Sequence, residues 1–280
     1  MTAETLIHPT AIVEPGAELG TGVRIGPFCV VGPDAVLGDG VELMNHVTVI
    51  GATTLGAGCK VFPQAVLGAP PQNTHHKGGR TTLTVGANTT IREGVTMHTG
   101  TDTSRGATVV GSNGNFLAYA HIAHDCIVGD NCTFANVATL AGHVEVGNNV
   151  IIGGLAAVHQ FVRIGDNAFI GGLAGVAGDV IPFGMAEGTR ANLRGFNIVG
   201  LKRSGIQRAE IYKVRAAYRA LFDEAHPVSE NVERVRTAYA DSPMVMKIVD
   251  FITSRGKRHF TVPALGAVRD ADGDGEAAGT

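Results

Sequence analysis

At 280 residues, with 44% hydrophobic and 17% charged side chains, the chain is long enough to fold around one large core or two modest ones. A formal net charge of −3 excludes the basic footprint of a nucleic-acid binder. No apolar run is long enough to span a membrane and no charged-then-apolar leader opens the sequence, so a cytoplasmic location is expected.

From Val13 onward an aliphatic residue recurs at every sixth position: Val13, Leu19, Ile25, Val31, Leu37, Leu43, Val49, Leu55, Val61 and Leu67. The series resumes at Val85, Ile91 and Met97, and again at Val110, from where it runs through Phe116, Ile122, Val128, Phe134 and Leu140 to Val176. A fixed hexapeptide period is the signature of a parallel β-helix, in which each repeat is a short strand plus a turn and the coils bury a shared core. Two residues before each aliphatic position the side chain is usually small, as at Ala17, Cys29, Ala65, Ala138 and Ala156; residues two apart share a face, so both positions point inward. Glycine often follows the aliphatic residue, where a sharp corner is expected to tolerate no Cβ. The four cysteines, Cys29, Cys59, Cys126 and Cys132, all take the small inward position, so neither a disulfide framework nor a zinc site is expected.

Two insertions break the register. One spans Ala69 to Arg80 and is polar and basic, with His75 and His76; the other spans His98 to Gly106. Insertions into a solenoid project from one face, often the binding face, although composition alone fits a solvated loop equally well. After Pro182 the six-residue period stops. Ser204-Gly205-Ile206-Gln207 reads as a capping box ahead of Ile211, Val214, Tyr218, Leu221 and Phe222 at helical spacing. A second helix is predicted after Pro227 and Ser229, through Val232, Val235 and Tyr239; a third carries Met246, Val249, Phe251 and Ile252. The division is a β-helix over 1–189, a small helical domain over 190–260 and a disordered Ala-, Asp- and Gly-rich tail over 261–280.

None of His98, His121, His124, His143 and His159 occupies an inward position of the repeat. With three hexapeptides per coil, residues 18 apart stack, which puts His124, Gly142 and Gln160 in one column with His143 and His159 beside it. One outer edge then gathers imidazoles, an amide and a bare backbone, and imidazole is the side chain best suited to proton transfer near neutral pH.

The run His121-Ile122-Ala123-His124-Asp125-Cys126, the downstream Leu140-Ala141-Gly142-His143, Ala157-Val158-His159-Gln160-Phe161, and Asn197 through Arg203 together resemble the acyl-[acyl-carrier-protein]–UDP-N-acetylglucosamine O-acyltransferase family, whose reaction opens lipid A synthesis. The resemblance covers nearly all of the chain before about Thr261. It implies a left-handed β-helix, a handedness that the period itself does not fix because parallel crossovers are normally right-handed. It also implies a homotrimer with active sites in the clefts between subunits, an acyl carrier protein as donor, a UDP-sugar as acceptor, and no resident cofactor or metal. His124 would be the general base on the sugar 3-hydroxyl, Asp125 its orienting carboxylate and the Gly142 N–H the oxyanion donor. On an ideal strand, neighbours such as His124 and Asp125 point oppositely, so geometry alone leaves the Asp125 role open. Gln72, Asn73, His121, His143 and Gln160 match substrate-contacting positions, His159 and Arg203 match basic groups near the diphosphate, Asn197 a uridine contact, and Gly172 the residue that sets acyl-chain length.

The chain departs from the family where charge is usual. Asn73 stands in place of an acid, His75 in place of a lysine, Val199 at an acidic nucleotide contact and Ser204 in place of a second arginine. A 3-amino sugar as acceptor, giving an amide, is therefore an alternative to the ester. A coenzyme-A-dependent hexapeptide transferase shares the scaffold but leaves the combined His-Asp, Gly-His and His-Gln motifs unexplained. A related N-acyltransferase would need an N-terminal uridine-binding domain, for which the repeat beginning near Val13 leaves no room. A γ-class carbonic anhydrase would use His121 and His124 as zinc ligands.

Overall fold

The computed structural model describes residues 4–264 apart from Ser204 and Arg255; the Arg203 side chain also lies outside the described residues, as do residues 265–280 of the expected tail. Over most of the span from Leu6 to Val176 two-residue strands alternate with four-residue turns, the strands lengthening to three or four residues around the insertions (Ala52–Leu55, Val66–Ala69, Thr82–Val85, Thr96–His98 and Ala107–Val110), and every third strand joins the same sheet. Three sheets of 11, 9 and 8 strands result, and they form the three sides of a prism. We call them the first, second and third sheets in the order in which the chain enters them. Pairing is parallel: Leu6 faces Arg24, Arg24 faces Glu42, and Val110 faces Val128, each a step of 18 residues.

The inward code explains the coil. Val31, Leu37, Val49, Leu67, Phe116, Phe134 and Ile152 are fully buried or nearly so, and between them sit the small residues Cys29, Ala35, Ala65, Cys132 and Ala156. Alternating one large and one small inward side chain lets each coil close around the next at close-packed density. The cysteines are free and buried, and burial pushes the Cys126 thiol up to about 12 and that of Cys132 up to about 11.

The glycine that follows the aliphatic residue answers to a different constraint from the one expected. A Cβ on Gly129 would lie 2.7 Å from the carbonyl carbon of Gly147 on the next coil. Glycine is there to let coils stack, and the positive φ of each corner falls two residues later, on Asn131, Asn149 and Asn167 and also on Asp125, His143 and Phe161.

Both insertions leave from the same edge. The step widens to 30 residues between Leu67 and Met97 and to 25 between Met97 and Ile122, at the turn from the second sheet to the third. Past the last coil, strands Gly184–Glu187 and Asn192–Phe196 form an antiparallel hairpin that extends the first sheet, and the chain then turns helical. The helices are α1 (Ile198–Arg203), α2 (Arg208–Leu221), α3 (Val228–Ala238) and α4 (Pro243–Thr253). Ile211, Val214, Tyr218, Leu221, Val232, Val235, Val249 and Ile252 pack inward as the spacing predicts. The capping-box reading is corrected: α2 begins at Arg208 with Gln207 as an extended N-cap making no side-chain cap bond, and Ser204 lies outside the described residues. The capped helix is α4, where Ser242 Oγ accepts from the Val245 N–H and Pro243 opens the first turn.

Candidate active site

The edge between the second and third sheets brings the histidines together. Successive coils are joined there by His143 N–H to His124 O at 3.0 Å and Phe161 N–H to Gly142 O at 3.2 Å, so His124, Gly142 and Gln160 occupy equivalent corner positions. The imidazoles of His124 and His143 meet edge to face at 5.0 Å, and His143 stacks on Phe161 at 4.5 Å.

His124 and Asp125 are adjacent yet point to the same side. Asp125 is the corner residue, with φ +60°, and that left-handed step turns its carboxylate back onto the imidazole: Nδ1 of His124 lies 2.8 Å from Oδ2. Asp125 is completely buried. Its carboxylate also accepts the Thr101 hydroxyl at 2.7 Å, the Thr101 N–H at 3.1 Å and the Gly106 N–H at 3.1 Å, while its own N–H donates to Thr108 Oγ1. Burial pushes its pKa up, but the Thr101 hydroxyl and His124 outweigh that, and the carboxyl is held below its ordinary value. A carboxylate kept ionised beside Nδ1 fixes the proton on that nitrogen and leaves the Nε2 lone pair facing out.

What faces Nε2 is a bare backbone. A Cβ on Gly142 would fall 2.6 Å from Nε2 and 2.5 Å from Cε1, so any side chain there would fill the space in front of the imidazole. At the edge between the third and first sheets the equivalent amides are capped by a ladder, Asp130 N–H to Asn148 Oδ1 and Asn148 N–H to Asp166 Oδ1. Gly142 has no such cap, and among the described residues its N–H finds no protein acceptor. That donor is free for a ligand.

Three neighbouring imidazoles have their pKa lowered. Burial, then the proximity of His121 and His124, lowers His98 to about 4; burial and His124 lower His121; burial outweighs Asp125 in lowering His143. His121 Nδ1 lies 2.7 Å from Thr96 Oγ1, and its ring meets His98 edge to face at 5.0 Å. His124, Asp125 and His143 each bring a potential metal-ligating atom within 4.8 Å of the others. Asp125 spends its oxygens on four protein donors, however, and His124 spends Nδ1 on Asp125, which makes a poor cation cage. His121, the ligand a zinc enzyme would need, stands outside that group.

The other candidates are distributed as follows. Asn73, from the first insertion, places Nδ2 3.4 Å from His124 Nε2, whereas Gln72 is exposed. His159 and Gln160 lie farther up the same edge and are exposed. They meet a residue the sequence did not single out: Arg258 places Nη2 2.7 Å from His159 Nδ1 and donates Nε–H to Gln160 O. Lys257 caps the Phe161 ring at 4.2 Å. The pair arrives from beyond α4 through tertiary packing, for which the only sequence signal is the local basic cluster. Asn197 is elsewhere, opening α1 at the third-to-first edge: its Oδ1 accepts from the Gly200 N–H and its Nδ2 donates to Asn167 O. Gly172 lies on the first-to-second edge, near the exposed Leu155 and Leu173, where a Cβ would meet only backbone of Gly154. Within one chain neither residue reaches His124.

The family described as "Udp N-acetylglucosamine O-acyltransferase; Domain 2" matches residues 179–261. The chain is 68% identical to the acyl-[acyl-carrier-protein]–UDP-N-acetylglucosamine O-acyltransferase of Mesorhizobium japonicum over 98% of its own length and 97% of the relative's. Among solved structures, the UDP-N-acetylglucosamine acyltransferase of Francisella novicida superposes with a TM-score of 0.90 at 32% identity, covering 94% of this chain and 95% of that one. The Campylobacter jejuni enzyme gives 0.87 at 37% identity, covering 92% and 100%. With a left-handed parallel β-helix and a small C-terminal helical part, this chain belongs to the acyl-[acyl-carrier-protein]–UDP-N-acetylglucosamine O-acyltransferase family.

Proposed function

We propose that the protein transfers a 3-hydroxyacyl chain from acyl carrier protein to the 3-hydroxyl of UDP-N-acetylglucosamine, the first step of lipid A synthesis, with His124 as general base. The observation that carries this reading is the His124–Asp125 pair, 2.8 Å apart, with Nε2 facing a glycine whose N–H is unpaired among the described residues. His124 Nε2 takes the proton of the sugar hydroxyl as that oxygen bonds to the thioester carbonyl carbon. Asp125 holds the imidazole in the required tautomer and supports the imidazolium. The Gly142 N–H donates to the oxyanion that forms. When the tetrahedral centre collapses, the carbon–sulfur bond breaks and the imidazolium returns its proton to the departing thiolate, releasing ester and the carrier's thiol.

His121, His143, Gln72, Asn73 and Gln160 would contact the sugar, and His159, with Arg203, the diphosphate. The donor brings its thioester on the carrier's own prosthetic arm, so the chemistry calls for no resident cofactor or metal. Residues 1–189 would carry the chemistry and 190–260 would help hold nucleotide and carrier.

Asn197 and Gly172 fit this scheme only if a neighbouring copy brings them to His124, which is one reason to assign a homotrimer with shared clefts. The other is a ridge of exposed apolar residues, Tyr119, Val137, Leu155 and Leu173, which stack along the first-to-second edge. Light scattering should give three times the chain mass; a monomer would contradict the shared cleft. No described helix is long and apolar enough to cross a membrane. A cytoplasmic location is part of the proposal, supported by four unpaired cysteines.

The test of the activity is mass spectrometry of the product formed from a 3-hydroxyacyl carrier protein with UDP-N-acetylglucosamine and, in parallel, its 3-amino analogue. Ester on the first sugar supports the reading. Amide on the second alone would overturn the oxygen acceptor and make Asn73 and Val199 its determinants.

A further inference from the structure

Beyond the bond from the Thr99 N–H to Ala69 O at their base, the two insertions are, among the described residues, tied to each other through one residue of the second. Asp102 lies in the turn Thr101–Ser104 and turns its carboxylate toward the first insertion, where it accepts the Lys77 N–H at 3.1 Å and the Gly79 N–H at 2.8 Å. His76 Nδ1 lies 3.2 Å from Asp102 Oδ1. The fit is close, because a Cβ on Gly79 would lie 2.7 Å from Asp102 Cβ and 2.8 Å from Oδ2. The amides of Gly79 and then Lys77 hold the Asp102 carboxyl below its ordinary value.

Among the described residues, the segment 72–80 has few other tethers. Asn73 reaches His124, and Arg80 lies 3.9 Å from Asp34 in an exposed pair; the remaining hydrogen bonds from this segment to other parts of the chain go to Asp102. The preceding residue, Thr101, faces the opposite way and binds Asp125 through both its N–H and its hydroxyl. The contacts close a circuit: His124 to Asp125, Asp125 to Thr101, Asp102 to the first insertion, and Asn73 back to His124 Nε2.

We propose that Asp102 is a positioning residue for the acceptor sugar: by clamping the first insertion to the second it holds Asn73 beside His124 Nε2. The inference rests on the reading of His124 as the base and of the first insertion as part of the acceptor site. Asp102 acts through Asn73 and touches no reacting atom, so its loss should appear in KM for the UDP-sugar more than in kcat.

The experiment uses the full chain, with Asp102→Ala, Asp102→Asn, Asn73→Ala and the Asp102→Ala/Asn73→Ala double variant. Losing a carboxylate that accepts two backbone amides should raise KM for UDP-N-acetylglucosamine about tenfold or more, with kcat changed less than about threefold and the melting temperature nearly constant. Asp102→Asn keeps one carbonyl acceptor and should recover part of the loss. In the Asn73→Ala background, Asp102→Ala should add little, because the two act in series. Hydrogen exchange at residues 75–80 should quicken in Asp102→Ala. An unchanged KM, or effects of the two single variants that simply add, would overturn the proposal. Failure of the wild type to acylate the sugar would sink the functional reading instead, and the exchange measurement would still decide whether Asp102 holds the loop: unaltered exchange refutes the clamp.

Discussion

Adding one methyl group at Gly142 tests the geometry of the site while leaving its base in place. In Gly142→Ala the new Cβ would lie 2.5 Å from His124 Cε1, 2.6 Å from Nε2 and 3.0 Å from Nδ1. Carbon atoms in contact sit about 3.5–4.0 Å apart, so the ring must retreat by roughly 1 Å. Asp125 cannot follow, being fully buried and fixed by Thr101 and Gly106, so the 2.8 Å bond to Nδ1 breaks or bends. A displacement of about 1 Å at a catalytic group costs about 10²-fold, and complete loss of a general base costs about 10²–10⁴-fold. Gly142 is not in the positive-φ region, so alanine brings no backbone strain of its own and the fold should survive. We expect kcat to fall about 10²-fold, measured with 3-hydroxyacyl carrier protein and UDP-N-acetylglucosamine, with the melting temperature little changed. A folded Gly142→Ala protein with near-wild-type turnover would refute the placement of His124 and Gly142 on either side of the reacting carbonyl.

Gly172→Met should fold normally, since a Cβ there meets only Gly154 O at 3.3 Å, and it should shift donor preference toward shorter chains. The readout is product mass from a mixture of chain lengths, and an unchanged distribution would remove Gly172 as the chain-length residue. Acid should weaken the fold through His98: its folded pKa of about 4 lies below the ordinary histidine value of 6.5, so the unfolded chain binds the extra proton between those values. Stability from this group is complete above about pH 6.5 and declines as pH falls toward 4, by roughly 1.4 kcal/mol per pH unit and up to about 3 kcal/mol in all. His121 and His143 are lowered as well and act in the same direction. Urea unfolding at pH 7, 6 and 5 should show a shallower slope for His98→Leu than for the wild type; equal slopes would contradict a neutral buried His98.

The solenoid was legible because its core obeys a period: one large and one small inward residue per repeat leave no other register in which the chain buries its apolar side chains. The histidine column followed from three repeats per coil. The orientation of Asp125 did not, because an ideal strand sends neighbours to opposite faces. The signal lay in the turns, where Asn131, Asn149 and Asn167 occupy the same corner step as Asp125, and asparagine is among the residues that best tolerate a positive φ. The approach of Lys257 and Arg258 to His159, Gln160 and Phe161 was beyond any local pattern, since it depends on how the segment after α4 returns to the β-helix. The misplaced capping box at Ser204 shows the same limit at the other scale: a four-residue motif can match while the helix starts later, and Ser242-Pro243, with its hydroxyl bond to the Val245 N–H, is the start signal that the structure uses.

Whether His124 removes the proton from the acceptor hydroxyl is decided by single-turnover acyl transfer with His124→Ala, purified with wild-type mass in light scattering and wild-type melting temperature. Turnover should fall about 10²–10⁴-fold, with binding of UDP-N-acetylglucosamine largely retained. A folded His124→Ala protein that keeps more than a few per cent of wild-type turnover would contradict that role and move the base elsewhere on the edge.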